Sequence, residues 1–144
     1  MRVMKLTSVW WLAAAGVYAA MVAVSAQGGR SASSGVYSEA QAKRGEAVYK
    51  EQCAACHGDN LEGSGPMPPL AGKDFLANWQ GKPVSDVFDK TQTSMPATAP
   101  GSLSPAQTAD VMAYMLAVGK YPAGGADLPG KADDLKQIML VAPK

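Results

Sequence analysis

Both cysteines and the single histidine of this chain lie within five positions, in the run Cys53-Ala54-Ala55-Cys56-His57. Two thiols at this spacing, near the end of a helix, can reach the vinyl groups on two adjacent pyrrole rings and form thioethers. The histidine that follows can then offer a ring nitrogen to the iron. This C-x-x-C-H spacing is the signature of covalent c-type haem attachment. The sequence therefore predicts one covalently bound haem c, with its iron, held by Cys53, Cys56 and His57.

Two other kinds of site use the same residue types. A C-x-x-C pair could form a disulfide or a thioredoxin-like dithiol, but such a pair usually follows a strand, and no strand pattern precedes Cys53. A zinc site needs four ligands, so carboxylates would have to complete a set of two cysteines and one histidine. Haem attachment fits best, and a protein without haem, with Cys53 and Cys56 as a disulfide or dithiol, remains the alternative.

The second axial ligand of the iron cannot be another histidine of this chain, because the chain has only one. Methionine is a common partner of histidine in electron-transfer haem proteins. Three methionines are expected to pack with apolar neighbours instead: Met112, Met115 and Met139. Met95 lies far enough beyond His57 to reach the opposite face of the haem, whereas Met67 lies in the loop that has just left the histidine. We therefore expect Met95 to be the distal ligand, with Met67 as the alternative.

The first 26 residues are typical of an export signal. Two positive residues precede an uncharged, mostly apolar run over 6–24, and 24-VSA-26 is a small-residue site of the kind that signal peptidase cuts. The apolar run is 19 residues long, which is also close to the ~20 residues that span a bilayer. Residues 1–26 are therefore predicted to be a cleaved signal peptide or an N-terminal membrane anchor. In both cases we expect a periplasmic or other extracytoplasmic location for the cysteines.

The composition suggests one loop-rich domain. The chain has 144 residues, with 15 glycines and 10 prolines, and its formal charge of +1 provides no basic field for nucleic acid. Residues 27–37 are rich in Gly and Ser and are predicted to be a flexible linker. Helical patterns occur over 38–55, 73–80, 84–91 and 104–118, with a possible short amphipathic turn in 131–140. No segment has a convincing strand pattern, so the predicted fold class is all-α, with three to five short helices.

Over residues 38–120 the chain resembles the class I cytochrome c family. The resemblance rests on five motifs: Gly45 with Tyr49, the C-A-A-C-H run, 68-PPLAG-72, 94-SMP-96 and 111-VMAYML-116. The stretch 74–116 is also similar to cytochrome c subunits that accompany quinoprotein dehydrogenases. The resemblance implies a small cytochrome c fold wrapped around one haem. It leaves residues 121–144 as a C-terminal extension.

The resemblance also implies roles for residues around the haem. Those expected to surround the haem without binding its iron are Pro68, Leu70, Trp79 and Phe88. The carbonyl oxygen of Pro68 is expected to accept a hydrogen bond from the ring nitrogen of His57 that does not bind iron. Met95 is again implied as the distal ligand, and Gly45 is expected to lie where the first and last helices cross.

These features predict an exported monohaem cytochrome that carries one electron by Fe(II)/Fe(III) cycling, rather than an enzyme in its own right. Its expected partners are redox proteins, with a dehydrogenase as donor and an oxidase or another cytochrome as acceptor. One alternative is a dedicated electron-accepting subunit of a periplasmic, quinoprotein-type dehydrogenase complex, or a carrier tethered to the membrane through residues 6–24. A less favoured alternative is a sensor or peroxidase in which the sixth iron position is open.

Overall fold

The computed structural model describes residues 29–143. The predicted signal peptide or membrane anchor in residues 1–26 lies outside the described residues. Among the helices of the described part, none is long and apolar enough to cross a membrane.

The described residues form six α-helices, one 3₁₀ turn and two very short strands, which confirms the all-α prediction. In chain order they are β1 (Arg30–Ser31), the 3₁₀ turn (Ala32–Ser34), α1 (Glu39–Gln52), α2 (Ala54–His57), α3 (Gly72–Trp79), α4 (Val84–Ser94), α5 (Pro105–Val118), α6 (Ala132–Leu135) and β2 (Ile138–Met139). The helix predicted over 38–55 is divided at Cys53, so that the haem-attachment run forms a separate turn. The helix predicted over 84–91 continues for three more residues, to Ser94.

Helices α1 and α5 cross at a glycine and form the centre of the core. A Cβ atom on Gly45 would lie 1.8 Å from the carbonyl oxygen of Asp110, so only glycine permits this approach. One turn later, the ring of Tyr49 packs against that of Tyr114, with ring centroids 5.4 Å apart. The buried Tyr49 hydroxyl donates a hydrogen bond of 2.6 Å to the carbonyl of Gly58, which ties α1 to the end of α2.

A serine caps each of the two long helices, at the residue where the predicted helical patterns over 38–55 and 104–118 begin. The hydroxyl of Ser38 accepts a hydrogen bond from the backbone N–H of Gln41. At α5, the Ser104 hydroxyl accepts from the N–H of Gln107, whose side-chain oxygen accepts from the N–H of Ser104 in return. These contacts satisfy N–H groups that have no partner within the helix.

The paired strands were not expected, because the sequence shows no strand pattern. Strands β1 and β2 are parallel, with Arg30 opposite Ile138 and Ser31 opposite Met139. An element of two residues is too short to display an alternation of polar and apolar positions. Its pairing depends on a partner more than a hundred positions away, which no local pattern reveals.

Residues 29–37 pack into the core, in contrast to the flexible linker predicted over 27–37. Ala32 and Tyr37 are almost completely buried. The Tyr37 hydroxyl donates a hydrogen bond of 2.7 Å to the carbonyl of Tyr121. The composition of the segment suggested flexibility, because the groups that hold it come from the other end of the chain.

Residues 121–143 wrap around the helices, and we call this segment the C-terminal belt. Its buried side chains are Tyr121, Leu128, Leu135, Ile138 and Leu140. The belt first meets α1, where the buried side chain of Gln41 donates to the carbonyl of Leu128 at 2.9 Å and accepts from its N–H at 2.6 Å. Further along, Leu140 exchanges backbone hydrogen bonds with Gly81 and Lys82 in the turn between α3 and α4. The belt therefore contacts both ends of the helical core.

A charged cluster ties the belt to the helix crossing from outside. One guanidinium nitrogen of Arg44, Nη2, lies 3.0 Å from a carboxylate oxygen of Asp110 on α5 and 2.7 Å from one of Asp127 on the belt. The Ser38 hydroxyl also donates to Asp127. The hydrogen bonds from Ser38 and Arg44 hold the pKa of the Asp127 carboxyl below its usual range.

Candidate haem site

A cleft of about 320 Å³ opens beside the C-x-x-C-H run. This volume falls within the range of roughly 300–1,000 Å³ that is usual for ligand sites. Seven of the eight predicted site residues line it: Cys53, Cys56, His57, Pro68, Leu70, Trp79 and Met95. Every lining residue lies between positions 52 and 115, so neither β1 nor the belt contributes a side chain to the cleft.

The two cysteines are presented by the turn α2. Cys53 ends α1 and begins α2, and the N–H of His57 donates to its carbonyl at 3.0 Å. Gly58 then ends the turn with a φ of 80°, a conformation that side chains disfavour. Both thiols are free: Cys53 is half-buried and Cys56 is exposed. Burial, with a smaller contribution from Cys56, raises the pKa of the Cys53 thiol to about 11, so this thiol is protonated at neutral pH.

The buried imidazole of His57 is oriented by the backbone of the following loop. Its Nδ1 atom lies 2.9 Å from the carbonyl oxygen of Pro68, which is the contact that the resemblance implies. A carbonyl oxygen can only accept a hydrogen bond, so Nδ1 carries the proton in this arrangement. The lone pair is therefore on Nε2, the atom that is left to bind a metal.

Gly63, which no sequence motif singled out, allows the contact between His57 and Pro68. Gly63 has a φ of 81°, and a Cβ atom there would lie 2.6 Å from the carbonyl oxygen of Met67 and 3.0 Å from the carbonyl carbon of Pro68. The N–H of Gly63 also donates to the carbonyl of His57 at 2.8 Å. The loop therefore folds closely on itself beside the imidazole. The many glycines in residues 58–72 were a signal of irregular structure, but they did not single out this one.

Met95 follows α4 directly and lines the cleft together with the buried Pro96. Its N–H donates to the carbonyl of Thr91 at 3.0 Å, which fixes its backbone to the last turn of the helix. Met67, the alternative distal ligand, also lines the cleft and is 38% exposed. Its backbone pairs with that of Ser64, in the same loop that places Pro68 behind the imidazole.

Phe88 is the one predicted pocket residue that the structure places away from the cleft. It is buried in the hydrophobic core, whereas its neighbour Val87 lines the cleft. Val87 shares its side of the helix with residues three and four positions further along, whereas the side chain of Phe88 points about 100° away from that of Val87 and enters the core. The cleft-facing side of α4 carries Val87, Lys90 and Thr91.

Further lining residues were not identified from the sequence. The apolar ones are Pro69, Phe75, Val87, Ala97, Val111 and Met115, and the polar or charged ones are Gln52, Asn78, Lys90, Thr91 and Thr98. Helical spacing could have indicated some of them, because Phe75 and Trp79 lie four residues apart on α3, and Val111 and Met115 do so on α5. In residues 29–143, no group of three or more His, Cys, Asp and Glu side chains is placed to bind a metal ion.

Comparisons with known proteins match the segment that builds the cleft. Residues 40–115 match the family model described as cytochrome c oxidase, cbb3-type, subunit III. Thiosulfate dehydrogenase of Stutzerimonas stutzeri (strain A1501) is 39% identical over 79 residues, which is 50% of this chain and 25% of that protein. The sulfane dehydrogenase SoxCD of Paracoccus pantotrophus includes a chain with 27% identity and a TM-score of 0.54. That match covers 69% of this chain and 52% of the other.

The matched segment contains nearly all of the structure that a covalently bound haem requires. Two free thiols and a buried imidazole with its Nε2 lone pair available lie at one side of a largely apolar cleft. This donor set fits a thioether-linked haem whose iron is bound by histidine. The chain spans only about a quarter of the length of the thiosulfate dehydrogenase and about half of the SoxCD chain. This chain belongs to the cytochrome c family, in the class described as cytochrome c oxidase, cbb3-type, subunit III, and binds haem c covalently.

Proposed function

We propose that this protein is an electron carrier in which His57 and Met95 would bind the iron of the haem. The observation that carries the proposal is that both side chains line one cleft, although they come from separate parts of the chain. Haem iron supplies a reversible one-electron step when it is bound. The residues of this chain attach the haem, supply the iron ligands and exclude water.

The position of the Pro68 loop favours Met95 over Met67. Pro68 contacts Nδ1 of His57, which is the side of the imidazole turned away from the metal-binding Nε2. Met67 directly precedes Pro68 and is held in the same loop by Ser64. Met95 enters the cleft from α4, a different element, and is free of that constraint. A thioether ligand such as Met95 favours Fe(II) and raises the reduction potential.

The apolar wall of the cleft acts in the same direction. Leu70, Phe75 and Trp79 line it from one side, with Val87 and Met115 from α4 and α5. Such a wall excludes water and disfavours the additional positive charge of Fe(III). The hydrogen bond from His57 to the Pro68 carbonyl opposes this effect, because it makes the imidazole a stronger donor to the iron.

A second candidate role is that of an electron-accepting subunit for a dehydrogenase. Two similar proteins are named as dehydrogenases of sulfur compounds, one of thiosulfate and one of sulfane sulfur. A cytochrome segment within such enzymes would take electrons from a separate catalytic centre. We propose the same relationship here, with the dehydrogenase on another chain and in a periplasmic or similar compartment, as the export-like N-terminal segment suggests.

The ligand proposal is tested by replacing each candidate methionine with leucine. Wild-type protein, Met95→Leu and the matched control Met67→Leu are produced in a host that matures c-type haem, and a pyridine haemochrome spectrum verifies attachment in each. Wild type and Met67→Leu should keep the weak far-red charge-transfer band of a methionine–iron bond. Met95→Leu should lose that band, and its ferrous form should bind CO readily. Loss of the band in Met67→Leu, with retention in Met95→Leu, would overturn the assignment.

The partner role is tested by measuring which mixture reduces the ferric haem. The ferric protein is mixed with thiosulfate alone, and then with thiosulfate plus the dehydrogenase subunits that co-purify with it. The proposal expects rapid reduction only in the second mixture. Rapid reduction by thiosulfate alone would show that the chain itself performs the oxidation, and co-purifying subunits that leave the haem ferric would refute the donor role.

A further inference from the structure

Among residues 29–143, Lys90 supplies the only charged side chain in the lining of the cleft. Apart from Lys90, the lining residues are apolar or carry neutral groups and the His57 imidazole. No aspartate or glutamate of residues 29–143 lines the cleft. The ion pairs found in this part of the chain do not include Lys90. A cation in a largely apolar lining that includes no carboxylate of residues 29–143 is suited to a bound anion.

The position of Lys90 on α4 is well defined. It lies three residues after Val87 and one before Thr91, and all three line the cleft. The carbonyl of Lys90 accepts a hydrogen bond from the Ser94 hydroxyl in addition to the helical ones. Lys90 is exposed, so its apolar stem can lie along the cleft wall while the ammonium group remains at the mouth.

The haem that binds in this cleft brings the negative charge that the lining residues lack. A haem carries two propionate carboxylates, and an ionised carboxylate at an apolar wall is destabilised unless it is paired. An ammonium group compensates it through a charge-assisted hydrogen bond. We propose that the ammonium group of Lys90 binds a propionate carboxylate of the haem and thereby helps to set its orientation and reduction potential. The inference deepens the proposed electron-transfer function and rests on it, but it does not depend on which methionine binds the iron.

The direction of the effect follows from the charges. A lysine–carboxylate pair is neutral, whereas removal of the lysine charge leaves a net negative charge near the iron. That charge stabilises Fe(III), so Lys90→Gln should lower the midpoint potential. At a fixed solution potential we expect the Fe(III)/Fe(II) ratio to rise at least about threefold, which corresponds to about 28 mV because a tenfold change is about 59 mV for one electron.

Two other lysines provide matched controls. Lys73 is exposed on α3 and does not line the cleft. Lys82 is a closer rival, because its ammonium group lies 5.0 Å from the ring centroid of Trp79, which does line the cleft. Lys73→Gln and Lys82→Gln remove the same charge from these positions, and Lys90→Arg keeps the charge at position 90.

The experiment combines spectroelectrochemical titration with infrared spectroscopy of the full-length haem-loaded protein. Lys90→Gln should show the lower potential, and Lys90→Arg should restore the wild-type value. With the haem carboxyl carbons labelled by ¹³C, the labelled carboxylate band of the redox difference spectrum should shift in Lys90→Gln and remain in place in Lys73→Gln.

Three results would overturn the proposal. The first is a Lys90→Gln potential that shifts no more than that of Lys73→Gln. The second is a shift of the potential or the carboxylate band in Lys82→Gln that exceeds the shift in Lys90→Gln. The third is loss of the far-red methionine–iron band in Lys90→Gln, since the potential would then change through the axial ligand. The Met95→Leu experiment tests the ligand assignment separately, so failure of one proposal is distinguishable from failure of the other.

Discussion

Replacing Gly45 with alanine should weaken the crossing of α1 and α5. The added Cβ atom would lie 1.8 Å from the carbonyl oxygen of Asp110 and 2.4 Å from its carbonyl carbon, whereas real Cβ atoms almost never approach within 3.0 Å. Both atoms belong to the backbone, so no side chain can rotate away and the helices must separate. Overpacking of this kind costs up to about 3 kcal/mol, and the better helix propensity of alanine returns about 1 kcal/mol. The expected net loss in the free energy of unfolding is about 2 kcal/mol.

Urea denaturation followed by far-ultraviolet circular dichroism measures this loss, and a thermal scan should show a melting temperature lower by about 8 °C. Gly125→Ala is the matched control. Gly125 is exposed in the belt, and a Cβ atom there would have no neighbour within 4 Å, so we expect a change within about 0.5 kcal/mol. Haemochrome spectra verify that both variants carry the same amount of haem. If the two variants unfold at the same urea concentration, the close contact of the helices is refuted.

Three further predictions concern the belt and the tyrosines. Gln41→Ala should cost about 2 kcal/mol in urea denaturation, because it leaves an N–H and a carbonyl of the belt unpaired in the core; a change below about 0.5 kcal/mol would contradict this role. Because the pKa of Asp127 is lower in the folded protein than in the unfolded chain, the ionised carboxylate stabilises the fold at pH values above the unfolded pKa of about 3.9. This contribution is lost as the pH falls through the folded pKa. Asp127→Asn should therefore flatten the fall of the melting temperature between about pH 5 and pH 3, and an unchanged slope would argue against the hydrogen bonds that Ser38 and Arg44 donate to this carboxylate. Tyr49→Phe should lower the free energy of unfolding by about 1 kcal/mol. Tyr121→Phe should not lower it, because the buried Tyr121 hydroxyl has no hydrogen-bond partner within the described residues. Equal losses of the two variants in urea denaturation would count against this distinction.

Features that depend on neighbouring residues could be predicted from the sequence. Ser38 and Ser104 mark the starts of α1 and α5, because a helix cap involves only the next three residues. The spacing of the C-x-x-C-H run predicts haem attachment, which the family match supports. The resemblance implied that Gly45 lies at a helix crossing, and its close contact with Asp110 explains why a residue that is otherwise unfavourable within a helix occupies this position.

Features that depend on distant partners could not be predicted in the same way. The β1–β2 pair and the buried position of Tyr37 require the belt, whose own sequence has no strong periodicity. The choice between Val87 and Phe88 for the cleft depended on how α4 is rotated about its axis. Both residues are buried, so hydrophobicity alone could not distinguish the face toward the cleft from the face toward the core.

The absence of the belt from the lining of the haem cleft has a practical consequence. Residues 121–143 hold the helices together, while every side chain that lines the cleft comes from residues 52–115. Exposed positions of the belt can therefore be redesigned, or can carry a linker that joins the protein to an electrode, without replacement of any side chain that lines the cleft. A family of such variants would differ in durability and attachment while keeping the same side chains around the haem.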